Sequence, residues 1–567
     1  MLALLSIIII PCLGILVYLN TLFVPFQFDD IPYIVDNPFI RNIHHLQDIW
    51  KFCPCRFVTF FSIAFNYHYH QLNVFHYHLF NLTVHLISAM LVWWLTLLTL
   101  FTPALKGDKI TPHAKLIALL VGMVFVSHPI QTEAVTYIWQ RAASMAALFY
   151  LASLCFYVKA RLYVCAGDHK DDHTGGHKVR PYYILSLILA VVAMFTKETA
   201  ITLPLMILLY EYFFFNVGKK LVFSRWQYLS PFLLTLFIIP FTMLFTKSAR
   251  FQEIQRVVQG PGGISPIHYL LTQFRVIITY IRLAFLPFHQ NLDYDYPIYK
   301  SIFEWPVLIS FLFLAGILFG AKQLFSKYRL VSFAILWFFL TILPESSLLP
   351  LQDVIFEHRL YLPLGGFSLF LVSSAYYLFG KNSLKLMVII LVILISGYSV
   401  LTYQRNKIWK DESILWGDTV AESPHKARPF NNRGLAYFHQ GNLLKAISDY
   451  NKAIEINPHY AEAYNNRGLI LAQKGYSHEA VLDFNKAIEI NPKYADAYNN
   501  RGIVYAIQGD FNQAISNLTQ AIKINPNDAE AYCNRSNAYY SVSGFIQAAA
   551  DYNKANEINP NSCRSQQ

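Results

Sequence analysis

Charged residues are scarce in this 567-residue sequence: they make up 14% of it, whereas hydrophobic residues make up 55%. Soluble globular domains carry roughly a quarter of charged residues. Most of the apolar residues before position 402 are gathered into repeated runs of about 16 to 24 residues, which suits membrane-crossing helices. The shortage of charge therefore argues against a soluble enzyme and predicts an all-α chain that begins with a polytopic bundle of membrane helices.

Several catalytic signatures are also missing. The sequence has no glycine-rich phosphate loop, no HExxH motif and no evident Ser–His–Asp arrangement, which argues against nucleotide hydrolysis and against zinc or serine hydrolases. Its seven cysteines are scattered, and the lone pair Cys53 and Cys55 predicts neither a disulfide framework nor a metal site. Much of the net charge of +11 lies in loops beside apolar runs, so we expect no nucleic-acid binding.

Hydropathy predicts eleven crossings. The first apolar run lacks a basic start and a small-residue cleavage site, so we expect a retained span and not a signal peptide. The segment Ile267–Phe288 is apolar but contains Arg275 and Arg282, and we expect it to lie in the outer leaflet without crossing. The crossings are expected near residues 3–24, 79–101, 115–129, 142–162, 181–196, 200–216, 227–246, 303–321, 329–344, 361–379 and 384–402.

Basic residues are concentrated in alternate loops, for example at Lys106, Lys219 and Lys322. The positive-inside rule assigns these loops to the cytoplasm. Asp29 and Asp30 then lie on the outer face, directly after the first span. Eleven crossings from a cytoplasmic N-terminus predict that the C-terminal part lies in the same outer compartment as this acid pair.

The part of the chain after Thr402 has a 34-residue period, seen in Pro458, Pro492, Pro526 and Pro560. Glycine and alanine positions keep the same phase. This pattern is typical of tetratricopeptide repeats, helix pairs that stack on their neighbours into an α-solenoid. We therefore expect a membrane domain over residues 1–402, a junction or half repeat over 403–424 and four repeats over 425–567.

One asparagine recurs at the same position of the first helix in each repeat. A row of amides can bind the backbone of an extended peptide whatever its side chains. The alternative is that these asparagines tie neighbouring repeats together. The four residues are Asn432, Asn466, Asn500 and Asn534.

The loops assigned to the outer face collect carboxylates, cations and histidines. A carboxylate pair can act as general base toward a hydroxyl, and Arg with Lys can hold a phosphate leaving group. A phosphate carried on a lipid would sit at this interface, so the chemistry that fits is sugar transfer from a polyprenyl phosphate to an external hydroxyl. The residues are Asp29, Asp30, Glu133, Glu198, Glu357, Arg141, Lys197, Arg359, His128 and His358.

The order of these motifs resembles the transmembrane and tetratricopeptide-repeat-containing proteins, which are similar to protein O-mannosyltransferases of the GT-C class. The resemblance covers nearly the whole chain, including the C-terminal repeats. Its motifs are Phe28-Asp29-Asp30 with Asn37-Pro38, Arg56-Phe57-Val58-Thr59, His78-Leu79-Phe80-Asn81, His128 to Val135 with Arg141, Lys197-Glu198, Pro344-Glu345-Ser346-Ser347 and Glu357 to Pro363.

The resemblance implies a GT-C-like bundle and an inverting transferase that uses a dolichyl- or undecaprenyl-phosphate sugar, with mannose the favoured sugar. It implies that Asp29 and Asp30 form the base or acceptor-positioning pair. Divalent metal is optional in this scheme, because fixed cations supply the same stabilisation. The implied phosphate-binding residues are Lys197, Arg359, Arg141 and His358, and the implied orienting residues are Glu133, Glu198, Glu357 and His128.

Two other functions remain open at this point. One is a non-enzymatic membrane scaffold that recruits protein partners through its repeats, and the other is a ligase for lipid-linked polymers. For the transferase we expect a protein or peptide acceptor in the repeat groove. The near-identical repeats favour a bacterial inner membrane with the repeats in the periplasm, and the alternative is an endoplasmic reticulum membrane with the repeats in the lumen.

Overall fold

The structure is a computed structural model that describes residues 2–165, 175–215, 226–245, 263–347, 349–380, 383–560 and 562–563. Every regular element in these ranges is a helix, which confirms the all-α prediction. The chain forms two compact units, Met1–Asp411 and Glu412–Gln567. The boundary falls inside the stretch 403–424 that the sequence assigns to a junction.

The first unit contains the membrane helices and several short turns of 3₁₀ and π helix. The α-helices of its described residues are α1 (Leu2–Tyr18), α2 (Leu46–Phe52), α3 (Phe57–His70), α4 (Val74–Leu100), α5 (Ala114–Ser127), α6 (Thr132–Thr136), α7 (Arg141–Cys165), α8 (Gly175–Met194), α9 (Leu203–Tyr210), α10 (Trp226–Leu234), α11 (Ile238–Phe245), α12 (Pro266–Phe285), α13 (Trp305–Leu324), α14 (Arg329–Ile342), α15 (Pro363–Ala375) and α16 (Leu384–Ile408).

Within the described residues, eight helices are long and apolar enough to cross a membrane. A ninth span is formed if the bent pair Thr111–Ser127 and Pro129–Thr136, which meet at 52°, counts as one. Two shorter apolar helices, Val179–Met194 and Arg329–Ile342, occupy the remaining predicted crossings. The chain is an integral membrane protein, and α12 is not among the helices that pass this test.

Helix α5 lies at the centre of the first unit, where it packs against α1, α4, α15 and α16. Its residues are apolar on nearly every side, as expected for a helix that is surrounded by others. Gly122 lets α1 approach closely, because a Cβ there would come within 2.6 Å of the Ile10 side chain. The loops that carry the candidate site start from this packed centre.

The second unit is the predicted repeat array. Gly468 faces the ring of Phe484 so closely that an added Cβ would lie 2.9 Å from it, which explains the recurring glycine. The array begins with a single helix, the predicted half repeat, followed by four helix pairs. They are α17 (Glu412–Glu422), α18 (Ala427–His439), α19 (Leu443–Ile456), α20 (Ala461–Gln473), α21 (Ser477–Ile490), α22 (Ala495–Ile507), α23 (Phe511–Ile524), α24 (Ala529–Ser541) and α25 (Phe545–Ile558).

A disulfide joins Cys533 in α24 to Cys563 after α25. It closes a stretch of 30 residues and fastens the segment after the last helix to the repeat before it. The scattered cysteines of the sequence did not predict this bond. The predicted cytoplasmic residue Lys219 lies outside the described residues.

Candidate functional site

Asp30 is held in a buried loop between α1 and α2, with 1% of its surface exposed. Its Oδ2 accepts a hydrogen bond from the Gln27 backbone N–H at 3.0 Å, and its Oδ1 accepts one from the Trp139 N–H at 2.7 Å. Asp29 is half-buried, and its backbone N–H donates to the Tyr137 hydroxyl at 2.9 Å. The carboxylate of Asp30 is thus fixed by two backbone donors, one on each oxygen.

Burial raises the pKa of Asp30 to about 8. The N–H groups of Gln27 and Trp139 and the positive charge of Arg141 act in the opposite direction, because each stabilises the ionised carboxylate. A carboxyl group with a pKa near the working pH is suited to accept a proton and to release it again.

Arg56 lies on the other side of Trp139 and forms a two-pronged ion pair with Glu198. Its Nη2 is 3.1 Å from Glu198 Oε2, and its Nε is 3.2 Å from Oε1. The Arg56 guanidinium carbon lies 5.9 Å from the centre of the Trp139 ring. Trp139 therefore contacts Asp30 through its backbone and Arg56 through its ring.

Lys197 pairs with Glu345, and the two atoms Nζ and Oε1 are 2.9 Å apart. Burial would raise the pKa of Glu345, but Lys197 and Arg359 outweigh it and hold that pKa below its usual value. Burial lowers the pKa of Lys197, while Glu345 favours its charged form. The adjacent Ser346 hydroxyl is buried and has no hydrogen-bond partner among the described residues.

Arg359 is buried, with 5% of its surface exposed, and its hydrogen-bond acceptors in the described residues are all neutral. It donates to the carbonyls of Val354 at 2.9 Å and Asp353 at 2.7 Å, and to the Tyr269 hydroxyl at 3.4 Å. No carboxylate of the described residues lies within ion-pair distance of it. Gln273 donates to the same Val354 carbonyl at 2.9 Å, and its Oε1 has no partner in the described part of the chain.

Two further predicted acids hold loops together. Glu133 Oε1 lies 2.6 Å from His358 Nδ1, and its Oε2 accepts the His358 backbone N–H at 3.1 Å. Glu357 accepts the side chain of Gln290 and the hydroxyl of Tyr294, each at 2.7 Å. Both acids fix the segment that carries Arg359.

Arg141 and His128 lie apart from these pairs. Arg141 is fully buried and donates to the side-chain oxygens of Asn81 at 2.7 Å and Asn66 at 2.6 Å. His128 Nε2 bonds the carbonyl of Ala284 at 2.8 Å. His128 therefore fastens α12 to the end of α5, and Arg141 joins α7 to α3 and α4.

Direct contacts thus connect much of the predicted set. Trp139 contacts both Asp30 and Arg56. Arg56 pairs with Glu198, and the next residue along the chain, Lys197, pairs with Glu345. The Tyr269 hydroxyl donates to the Glu345 carbonyl at 2.7 Å and accepts from Arg359. Sequence reasoning assigned no role to Arg56, Glu345, Trp139 or Tyr269. Two of these four, Arg56 and Glu345, stood in the motifs that carry the resemblance, and that was the available signal.

The recurring asparagines join neighbouring repeats, as one of the two sequence interpretations held. The side-chain amides of three of the four, Asn466, Asn500 and Asn534, donate to an asparagine of the preceding repeat. Peptide binding by this row of asparagines stays a prediction. The bonds are Asn466 to Asn431 at 3.0 Å, Asn500 to Asn465 at 2.9 Å and Asn534 to Asn499 at 3.0 Å, and Asn432 accepts from Asn431 at 3.2 Å.

The structure brings no metal-binding cluster together within the ranges it describes: no three His, Cys, Asp or Glu side chains there are placed to hold an ion. The charged groups near Asp30 occur instead as pairs. Among the predicted phosphate-binding residues, Arg359 and Arg141 have no carboxylate within ion-pair distance in the described residues, whereas Lys197 pairs with Glu345.

Comparison with known families confirms the repeats. A family model described as TPR repeat matches residues 426–475 and 504–542. Two models described as tetratricopeptide repeat match residues 461–494 and 484–516. Among solved structures, the crystal structure of MamA covers 27% of this chain and 89% of its own, at 25% identity and a TM-score of 0.24.

The chain is also similar to curated proteins over a stretch much longer than the repeats. Protein O-mannosyl-transferase TMTC3 of Homo sapiens is 25% identical over 482 residues, which is 77% of this chain and 50% of that protein. Tmtc3 of Drosophila melanogaster is 25% identical over 78% of this chain and 54% of its own, and human TMTC1 is 25% identical over 76% and 53%. The resemblance seen in the sequence is confirmed, and the chain spans about half the length of the curated relatives it matches.

Proposed function

We propose that this protein is a membrane glycosyltransferase that moves a sugar from a polyprenyl phosphate to a Ser or Thr hydroxyl of a protein. The sugar we propose is mannose. The curated relatives are named protein O-mannosyl-transferases, and the match includes both the membrane part and the repeats. The donor, the acceptor and the inverting, GT-C-type mechanism are part of the proposal.

The observation that supports it most is the buried Arg359. A guanidinium buried without an acidic partner is costly, and an anionic ligand removes that cost. The unpartnered Ser346 hydroxyl follows Glu345, and the Gln273 side chain shares the Val354 carbonyl with Arg359, so further polar groups surround the same place. A lipid phosphate is an anion that reaches such a place from the membrane.

In the proposed reaction, the Asp30 carboxylate takes the proton of the acceptor hydroxyl. The hydroxyl oxygen forms a bond to the anomeric carbon of the sugar, while the bond from that carbon to the phosphate oxygen breaks and the lipid phosphate leaves. Arg359 and Lys197 stabilise the charge that develops on the phosphate. Asp29 positions the acceptor, and the positive charge of Arg141 favours the ionised form of Asp30.

The remaining acids orient the cations. Glu345 holds Lys197, Glu133 holds His358 beside Arg359, and Glu198 holds Arg56 against Trp139. Because these contacts are short and largely shielded from solvent, they fix the donor site before the substrate arrives, which lowers the reorganisation needed in the transition state.

The repeat array presents the acceptor protein in this proposal. Repeat arrays of this kind use their extended surfaces to bind peptides and proteins. The Cys533–Cys563 disulfide favours an oxidising compartment for the array, such as a periplasm or a lumen, because such bonds are rare in the cytosol. The proposed acceptors are therefore secreted or membrane proteins.

The test uses the full chain in lipid nanodiscs with radiolabelled polyprenyl-phosphate mannose and a Ser/Thr-containing protein acceptor. We expect transfer of label to protein, a product whose anomeric configuration is opposite to that of the donor, and no transfer from a nucleotide sugar. Label transfer with retained configuration contradicts the inverting mechanism. Absence of transfer from every polyprenyl-phosphate sugar, with protein partners still captured by the array, supports the scaffold instead.

Arg359→Gln is expected to weaken donor use by at least tenfold, since charge-assisted bonds to phosphate are worth about 1.5 to 3 kcal/mol. Arg329→Gln is the matched control. Its guanidinium also donates to a backbone carbonyl, that of Phe213 at 3.2 Å, but lies at the predicted cytoplasmic end of α14. Equal losses in the two variants would refute the role of Arg359.

A further inference from the structure

The backbone of the Asp29–Asp30 loop is held in an unfavourable conformation. Phe28, directly before the acid pair, has a φ of +48°, in the left-handed region that bulky side chains avoid. Such a conformation is strained and persists only when neighbouring contacts hold it. The residues on either side of Phe28 show what holds it.

On the N-terminal side, Gln27 makes two bonds. Its backbone N–H donates to Asp30 Oδ2 at 3.0 Å, and its side-chain Nε2 donates to the Trp409 carbonyl at 3.2 Å. Gln27 is buried, with 1% of its surface exposed, so water does not compete for these bonds. The orientation of Gln27, and through it that of Asp30, therefore depends on Trp409.

On the C-terminal side, the Asp29 N–H donates to the Tyr137 hydroxyl at 2.9 Å. The Tyr137 ring stacks on the Trp409 ring, with centres 5.5 Å apart and planes 28° apart. Tyr137 is two residues from Trp139, whose N–H bonds Asp30. Both sides of the strained residue are thus tied to Trp409, once through its carbonyl and once through its ring.

We infer that Trp409, acting through Gln27 and Tyr137, is a positioning residue that holds the Asp29–Asp30 loop in its reactive geometry. This inference rests on the proposed function for its catalytic meaning, but the loop contacts exist independently of it. Trp409 follows the last membrane helix and lies 2% exposed, three residues before Glu412, where the second unit begins. The loop is therefore fastened to the stretch of chain from which the repeat array starts.

The test removes each of the two contacts with Trp409 or Tyr137 separately. Tyr137→Phe keeps the ring and removes the hydroxyl that accepts from Asp29, and Gln27→Ala removes the side-chain bond to Trp409. We expect backbone amides of residues 27–31 to exchange hydrogen at least about fivefold faster in each variant, because a local opening becomes easier. Tyr210→Phe is the matched control, since it removes another buried hydroxyl, one that lies 3.0 Å from that of Thr99.

Kinetics provide the second readout. We expect kcat to fall about tenfold or more in Tyr137→Phe and Gln27→Ala with KM for both substrates nearly unchanged, because a small displacement of a base slows chemistry more than binding. Unchanged exchange at residues 27–31 refutes the inference even in a fully active enzyme. Faster exchange in the two variants, together with no sugar transfer by the wild type, supports the role of Trp409 in holding the loop and refutes the proposed function instead.

Discussion

Asp30 combines deep burial with two backbone N–H donors on its carboxylate oxygens. Burial raises its pKa to about 8, and in the proposed reaction the ionised form is the one that takes the proton of the acceptor hydroxyl. We therefore expect kcat to rise with pH and to level off above about 8. Asp30→Asn is expected to remove this rise together with at least about 99% of the rate.

The pH profile separates Asp30 from its neighbour. Asp29 is half-buried, and Asp29→Asn serves as the matched variant. If Asp30 is the base, Asp29→Asn keeps the rise near pH 8 although its rate is lower. An unchanged profile in Asp30→Asn would show that another group accepts the proton.

The buried pair of Lys197 and Glu345 gives a second prediction. Lys197→Met leaves a buried carboxylate without its ammonium partner, which costs about 3 to 5 kcal/mol of stability. Adding Glu345→Gln removes the stranded charge, so we expect thermal unfolding in nanodiscs to return most of the way to the wild-type temperature. Sugar transfer is expected to stay lost in both variants, because the phosphate has lost a cation.

Recovery of activity along with stability in the double variant would show that the pair is structural only. Arg161 and Glu211 offer a control pair, since they form a buried ion pair with Nη2 and Oε2 3.1 Å apart at the predicted cytoplasmic end of α7. Disrupting that pair should lower stability without a specific loss of transfer per folded molecule.

The sequence predicted several members of the candidate site but not their partners. Asp30, Lys197 and Arg359 stood out because charges at membrane boundaries are costly. Arg56 and Glu198 are 142 positions apart, and a charge pattern alone does not show that such distant residues meet. The sequence predicted that Glu198 orients the phosphate-binding cations; in the structure Glu198 pairs with Arg56, to which the sequence assigned no role, and the orienting role stays a prediction.

At the scale of the helix pair, each repeat carries an arginine on its first helix that faces the second. In three repeats it meets an aspartate, as Arg467 meets Asp483 at 2.7 Å, and that aspartate raises the pKa of Arg467. In the third repeat Arg501 meets Asn517 at 2.7 Å instead, and burial lowers the pKa of Arg501. The third pair is thus the one without a counter-charge.

We expect Asn517→Asp to stabilise the array by about 0.5 to 1 kcal/mol, the value typical of a good partly exposed ion pair. The change also removes the hydrogen bond from the Asn517 side chain to the Gln513 carbonyl at 2.8 Å, and this loss reduces the gain in the free energy of unfolding. Thermal unfolding of the full chain at low and high salt measures it. A gain that survives high salt would mean that the ion pair is not its cause, and Asn517→Ala should be destabilising in both conditions.

The disulfide gives another prediction at this scale. Cys533→Ser with Cys563→Ser should destabilise the last repeat by about 3.5 kcal/mol, as expected for a loop of this length. In the wild-type protein, mass spectrometry after alkylation without reductant should find Cys533 and Cys563 unmodified. Two alkylated cysteines in protein purified from its own membrane would contradict the bond and its oxidising compartment.

The 34-residue period predicted the array well because each repeat contacts only its neighbours, so that local pattern and fold coincide. Hydropathy predicted the membrane helices for a similar reason, since an apolar stretch of sufficient length has few alternatives in a bilayer. The loop contacts of Gln27, Tyr137 and Trp409 have no such repeating pattern. They join three distant parts of the chain and become visible only in the folded structure.

For the whole molecule, the proposal requires Asp30 and the repeat array to share one aqueous compartment. The sequence predicts eleven crossings, of which nine match spans that are long and apolar enough and two match the shorter helices Val179–Met194 and Arg329–Ile342. An odd number of crossings would put the two chain ends on opposite faces. The side on which a position lies can be measured by placing a single cysteine there, in a variant without other free thiols, and labelling it with a membrane-impermeant maleimide. Asn42 marks the Asp30 side, Lys493 marks the array and Lys327 marks a basic loop, and all three are exposed.

We expect Asn42→Cys and Lys493→Cys to react from the same face of intact vesicles, and Lys327→Cys to react only after the vesicles are opened or inverted. The physical reason is the bias of basic loops toward the cytoplasm, which fixes the orientation of the whole bundle. If Lys493→Cys reacts together with Lys327→Cys while Asn42→Cys reacts from the far side, one crossing is miscounted. In that case an acceptor bound to the array cannot reach Asp30, and the array must serve partners on the other face.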